Sequence, residues 1–88
     1  MPELFFGKYR AQVIDNGDPE LRGRLLVVAP AIAAEPLYWA DACISASEAA
    51  QADQFVPPPI GAMVWVEFEG GSPDQPIWSG CRWPTEGW

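Results

Sequence analysis

Ser45-Ala46-Ser47-Glu48-Ala49-Ala50-Gln51-Ala52-Asp53-Gln54 is the only helix-friendly stretch in the chain, and its position decides the fold. Ser45 and Glu48 have capping-box spacing, in which each side chain satisfies a free backbone N–H of the other residue. Phe55 and Pro57 follow, so the expected helix has one or two turns. Everything on either side of it reads as short strands and turns.

Upstream, Lys8 to Asp15 alternates: Tyr9, Ala11 and Val13 share one parity, and Lys8, Arg10 and Gln12 share the other. That is a half-buried strand. Asn16-Gly17 is a strong turn signal, which Asp18-Pro19 extends into a loop closed by Gly23. Arg24 to Ala29 is a second strand ended by Pro30, with Leu25, Val27 and Ala29 expected inside. Leu37 to Ile44, opened by Pro36, is a third. Downstream of the helix, Pro57-Pro58-Pro59 imposes an extended segment. Ile60 to Glu69 is a fourth strand, with Val64, Val66 and Phe68 expected inside. Gly70-Gly71-Ser72-Pro73-Asp74 is a hairpin turn and Pro76 to Arg82 a fifth strand. Five short strands with a helix only between the third and fourth describe an all-β fold, the five-stranded Greek-key barrel of the OB fold. An SH3-like barrel lacks a helix at that position.

Composition agrees. Eighty-eight residues make one domain, expected to span 1–88. Ten Pro and eight Gly exclude a helical bundle, since both break helix interiors. No apolar run approaches the roughly 18 residues of a membrane span, and Met1 to Gly7 is too short and acidic for a signal peptide. Yet 49% of residues are apolar and five are Trp, more than one small core readily hides.

A formal net charge of −7 repels a phosphate backbone overall, so no nucleic-acid partner is expected. The chain has no His, and Cys43 and Cys81 stand far apart without a Cys-x-x-Cys pair. No metal site, cofactor or catalytic residue is therefore expected. Asp15-Asn16-Gly17-Asp18-Pro19-Glu20 clusters carboxylates but lacks EF-hand spacing. It reads as a hairpin loop in which Arg22 and Arg24 answer Asp15, Asp18 or Glu20 as exposed ion pairs, each worth at most about 1 kcal/mol. Glu67 and Glu69 share a strand face, which reads as solvated. The two cysteines read as free thiols, because strand parity sets Cys43 with Asp41 and Cys81 with Ile77 on opposite faces.

Several stretches resemble the OB domain of contractile-tail spike proteins: phage baseplate assembly protein V, the central spikes of phage tails and the VgrG proteins of type VI secretion. They are Gly7-Lys8-Tyr9, Val13-Ile14-Asp15-Asn16, Asp18-Pro19, Gly23-Arg24-Leu25 with Val27 and Pro30, Trp39-Ala40, and Phe55, Pro57 and Gly61. The most specific is Val64 to Pro76, containing Phe68-Glu69-Gly70-Gly71-Ser72-Pro73-Asp74-Gln75-Pro76; Gly80 ends the match. In that motif, Gly70-Gly71 permits positive φ, Pro73 and Pro76 pre-set the turn, and Asp74 can bond turn N–H groups. Ala62 and Met63 stand where the family commonly has acidic residues, and no lysozyme domain or β-helical needle follows. The resemblance implies an OB collar without the needle, if the 88 residues are complete. It also implies a homotrimer around a tail axis in a baseplate made in the bacterial cytoplasm. Such a collar would link the hub to a spike or tip by packing, without catalysis and without membrane contact at rest.

Parity supplies the interface candidates. Leu26, Val28, Met63 and Trp65 are expected to point outward, Trp78 is assigned outward by counting from Arg82, and Trp88 lies in the irregular tail. Large apolar groups at such places fit a desolvated interface. The ordinary alternative is a monomeric barrel whose loops fold over them. As a different function, an OB module for single-stranded nucleic acid or oligosaccharide remains: the aromatics are present, but the basic groove such binders use is not.

Overall fold

Alternating apolar residues make each strand one-faced, and the five faces converge on a single core. In the computed structural model, which describes residues 3–83, the strands are β1 (Tyr9–Asp15), β2 (Leu26–Val28), β3 (Asp41–Ala42), β4 (Met63–Phe68) and β5 (Pro76–Cys81). The helix α1 (Ala46–Ala50) lies between β3 and β4, followed by a 3₁₀ turn at Ala52–Gln54. Its capping box is formed: the Glu48 N–H donates to Ser45 Oγ at 3.1 Å and the Ser45 N–H to Glu48 Oε1 at 3.0 Å.

The strands form one curled sheet in the order β2-β1-β4-β5-β3. All pairs are antiparallel except β3 with β5. An isolated antiparallel bridge between Leu25 and Ala40 joins the two outer strands, with N–H to O distances of 3.1 and 2.7 Å. The half-barrel is thereby closed at one point, in the OB arrangement. Third-strand pairing is much shorter than the expected Leu37 to Ile44. Only Asp41–Ala42 pairs with β5, while Leu37 and Ala40 bond back to Val27 and Leu25.

Leu25, Val13, Val27, Val64 and Val66 are the largest fully buried side chains, joined by Ala11, Ala29, Leu37, Ala40 and Phe68. The inward sets expected for the second and fourth strands are thus the observed ones. Tyr9, Phe5 and Phe68 form an aromatic triangle with ring centroids about 6 Å apart that covers one end of the barrel.

Trp78 departs from expectation. It is 5% exposed, in the core, not on the outer face. The β4–β5 register explains why: Val66 pairs with Trp78 but Val64 with Cys81, so β5 carries an extra residue opposite Trp65. A bulge of this kind breaks period-two alternation. Gly80, at φ 104°, takes the conformation the bulge requires. Counting back from Arg82 across the bulge inverts the assignment. Trp78 instead packs on Phe55 and donates its indole N–H to the Gly23 carbonyl at 3.0 Å. The same bulge invalidates the parity used for Cys81; both thiols are free and exposed.

The β4–β5 turn is built on positive φ at Gly70 and Gly71. A Cβ on Gly71 would stand 2.8 Å from the Phe6 ring, so the close pass of the N-terminal segment demands glycine. The turn is closed by backbone bonds, from the Ser72 N–H to Glu69 O and the Gln75 N–H to Ser72 O. Asp74 is exposed and, among the described residues, makes no side-chain hydrogen bond, contrary to the role expected of it.

The β1–β2 loop is organised by Asp18, which is 4% exposed. Its carboxylate accepts the N–H groups of Glu20, Arg22 and Arg24 at 2.9, 2.9 and 3.2 Å. Arg24 adds a bidentate pair, Nε to Oδ2 at 3.0 Å and Nη2 to Oδ1 at 2.8 Å. This is a buried ion pair, not the exposed one expected; Arg22, with Glu20 and Asp41, is exposed as anticipated. The Arg24 guanidinium holds the Asp18 carboxyl far below the usual carboxylate range, against the opposing effect of burial and with help from the three N–H groups. Asp18 in turn raises the Arg24 pKa.

The sign of the acid dependence follows. Asp18 stays ionised in the folded protein at pH values where the unfolded chain, at 3.8, already takes up a proton. Its contribution is complete above that value and is lost as pH falls through the folded one. Wild-type thermal stability is expected to drop between about pH 4 and pH 2. Asp18→Asn is expected to be about 2 kcal/mol less stable at neutral pH, since it strands buried donors, and to show a shallower acid dependence. Melting curves by circular dichroism across that range check both; an unchanged slope would mean that other carboxylates carry the acid transition.

Candidate interaction face

On β4 the residues between the core positions, Met63, Trp65 and Glu67, are half-buried and face outward. The register with β1 sets Gln12 opposite Met63 and Arg10 opposite Trp65, and Val28 of β2 stands opposite Gln12. Val28, Gln12 and Met63 therefore form one cross-sheet row, with Arg10 and Trp65 in the next. Leu26 lies beside Asp15 at the far end of β2. Of the interface candidates, Val28, Met63 and Trp65 come together, Leu26 flanks them, and Trp78 is excluded by burial. Trp88 lies outside the described residues.

Three of the five basic residues of the chain surround Trp65. The Arg82 guanidinium sits over the indole, 5.6 Å from its centroid, positioned by the Arg82 N–H bond to Met63 O at 2.8 Å. Arg10 is cross-strand and exposed, and makes no salt bridge among the described residues. Lys8 Nζ donates to Glu67 Oε1 at 3.1 Å and to Ser79 Oγ at 2.9 Å. Beside the indole, Lys8, Tyr9, Arg10, Pro30, Ala31 and Trp65 line an open groove of about 590 Å³.

This cationic setting was missed from sequence. The outward parity of Lys8 and Arg10 was visible there, but nothing local reveals that β1 pairs with β4 or that Arg82 reaches Trp65. The face offers apolar area, an aromatic ring and positive charge. Its carboxylate, Glu67, is engaged by Lys8. At the loop, both Asp18 oxygens are occupied by protein donors. Among the described residues, no group of three or more Cys, Asp or Glu side chains is placed to hold a metal ion.

A curled five-stranded sheet bridged once between its outer strands, with a half-buried row of Val28, Gln12 and Met63 on its outer face, defines an OB-type domain. Residues 9–83 match the family model of the type VI secretion system/phage-baseplate injector OB domain, and the chain belongs to that family. It is a structural domain of a tail baseplate or related injector, associating with baseplate and spike proteins. A comparison with curated proteins found no match.

The two tryptophans of the β4–β5 pair should respond oppositely to substitution. Trp78→Ala removes a buried ring and its hydrogen bond and is expected to cost about 3–5 kcal/mol of folding stability. Trp65→Gln is expected to cost about 1 kcal/mol or less. Gln is the informative replacement, because Lys would add a fourth cation beside Lys8, Arg10 and Arg82. Urea denaturation of both variants checks the ranking, and the reverse order would place Trp65 in the core.

Proposed function

We propose that the chain serves as an OB collar linking the central hub of a contractile tail, or of a related injection machine, to its spike or tip. It acts through packing contacts and performs no chemistry. The observation that carries this reading is the row of half-buried Val28 and Met63 beside Trp65 and its groove, on the outer face of a barrel whose core is already complete. A small domain has no folding reason to keep a tryptophan there, whereas interface cores are enriched in Trp and Met. Residues 1–88 act as one domain, as a homotrimer about the tail axis. The protein is made in the bacterial cytoplasm and contacts neither nucleic acid nor membrane in the resting assembly.

A second reading, a single-strand nucleic-acid binder, gains from the placement of Lys8, Arg10 and Arg82 around Trp65, since such binders combine stacking rings with cations. The net charge of −7 opposes it.

The test is co-expression with contractile-tail hub and tip proteins, followed by purification of the complex. Trp65→Gln is expected to yield a folded barrel that joins its partners at least about 30-fold more weakly, as removal of a hot-spot ring worth about 2 kcal/mol would. Normal assembly of this variant would move the interface elsewhere on the domain. A wild-type chain that ignores hub and tip but shifts oligonucleotides would favour the second reading.

A further inference from the structure

A tyrosine and a tryptophan stand at the seam where the barrel closes. The third-strand segment fixes them there: the Leu37 N–H donates to Val27 O at 2.9 Å and the Ala40 N–H to Leu25 O at 2.7 Å, with Tyr38 and Trp39 between. Tyr38 is 67% exposed, a large ring with no place in the core. It lines an open, mostly apolar groove of about 440 Å³ with Phe5, Ile32, Leu37 and Pro73. It also lines a second groove, of about 380 Å³, whose far wall is the β4–β5 turn with Glu69 and Asp74. Both acids are exposed, and among the described residues neither makes a side-chain hydrogen bond or a salt bridge. The turn is closed by backbone bonds, so its two acids have no part in holding it. Neither groove shares a residue with the one beside Trp65.

We propose that these adjoining grooves receive an extended basic segment of a different protein. An apolar side chain of that segment lies against Phe5, Ile32 and Leu37, and an arginine or lysine sits between Tyr38 and the carboxylates of Glu69 and Asp74. The inference rests on the collar reading, in which a domain that links two neighbours needs a second contact besides the Trp65 face. Charge complementarity selects the occupant. Arg22, Arg24 and Asp41 also line the acidic groove. Arg24 is engaged by Asp18, and Arg22 by Glu20 and Asp41. With those partners counted, two cations face the five carboxylates of Asp18, Glu20, Asp41, Glu69 and Asp74. The apolar groove adds Glu3 and no cation. An incoming guanidinium thus meets two unengaged carboxylates, which accept its planar fork, and an exposed ring, which attracts its charge. Burial of the apolar residue supplies affinity, and the ion pairs set the register of the segment. A sugar chain would stack on the same ring but brings no charge to the free carboxylates.

Fluorescence anisotropy of a labelled peptide reads the contact. The probe is a short blocked peptide of alternating leucine and arginine, compared with a counterpart carrying glutamate for arginine. The wild type is expected to bind the basic peptide saturably and to ignore the acidic one. Glu69→Gln combined with Asp74→Asn is expected to weaken binding at least about tenfold at an unchanged melting temperature, because neither side chain bonds within the fold. Glu48→Gln combined with Asp53→Asn removes two charges at the helix instead and keeps the capping box. That pair is expected to change binding by less than about twofold. Equal losses in the two double variants would overturn the groove as the site and reduce binding to net charge. Absence of saturable binding up to about 1 mM peptide would overturn the inference outright. Chitotetraose bound by the wild type and released by Tyr38→Ser, with the basic peptide ignored, would assign the groove to a sugar chain. Trp65→Gln is expected to bind the peptide as the wild type does while failing to join hub and tip, so that failure of this groove and failure of the Trp65 face are read separately.

Discussion

One carboxylate organises the open end of this barrel. Asp18 has no exposed surface to speak of, and both its oxygens accept protein hydrogen bonds, three from backbone and two from Arg24. The loop between β1 and β2 has no regular structure of its own, so its backbone donors need an acceptor. Asp18 provides it, and the arrangement holds Leu21 at φ 54°, where a bulky residue is strained. Such strain, of order 1–3 kcal/mol, persists only where the surroundings over-determine it. The same loop presents the Gly23 carbonyl to the Trp78 indole. Arg24 also lies over the Trp39 ring, 5.8 Å from its centroid. Loop, β2, the third-strand segment and β5 thus meet at one buried ion pair. Removing a partner from such a pair costs more than the pair contributes, because a desolvated charge is left behind.

The elements legible in the sequence were those with local causes. The alternation of Val64, Val66 and Phe68 needs only the geometry of one strand, and the Ser45–Glu48 box needs only one helical turn. Both are observed as expected, and with them the five strands and the placement of the helix. The misreadings arose where a distant segment intervenes. Trp78 faces inward because β5 bulges against β4, and a bulge depends on pairing. Asp18 reads as one more loop acid until Arg24 folds back over it. The third strand looks continuous, but its first half bonds β2 and its second half β5, which is how the barrel closes.

Net charge misled in a related way. A sum over the chain is right for long-range fields and silent about where charges sit. Five basic residues among 88 read as too few for a positive face. Yet two strands bring Lys8 and Arg10 beside Trp65, and the bulged end of β5 brings Arg82. The other two, Arg22 and Arg24, are engaged at the loop by Glu20 and Asp18.

These two regions are separated by the core in a way that suits a packing domain. On β4, Val64, Val66 and Phe68 hold the fold while Met63, Trp65 and Glu67 face outward, and strand geometry forbids any residue from serving both faces. The outer face can therefore change partner without changing the barrel, provided that the bulge keeps Trp78 in and Arg82 near Trp65. In this domain the bulge at Gly80 links the two faces. It seats one tryptophan in the core, lets the strand end cross to the outer side, and places a cation on the other tryptophan. A residue with a side chain at Gly80 would strain the bulge, and its effect would be felt on both faces at once.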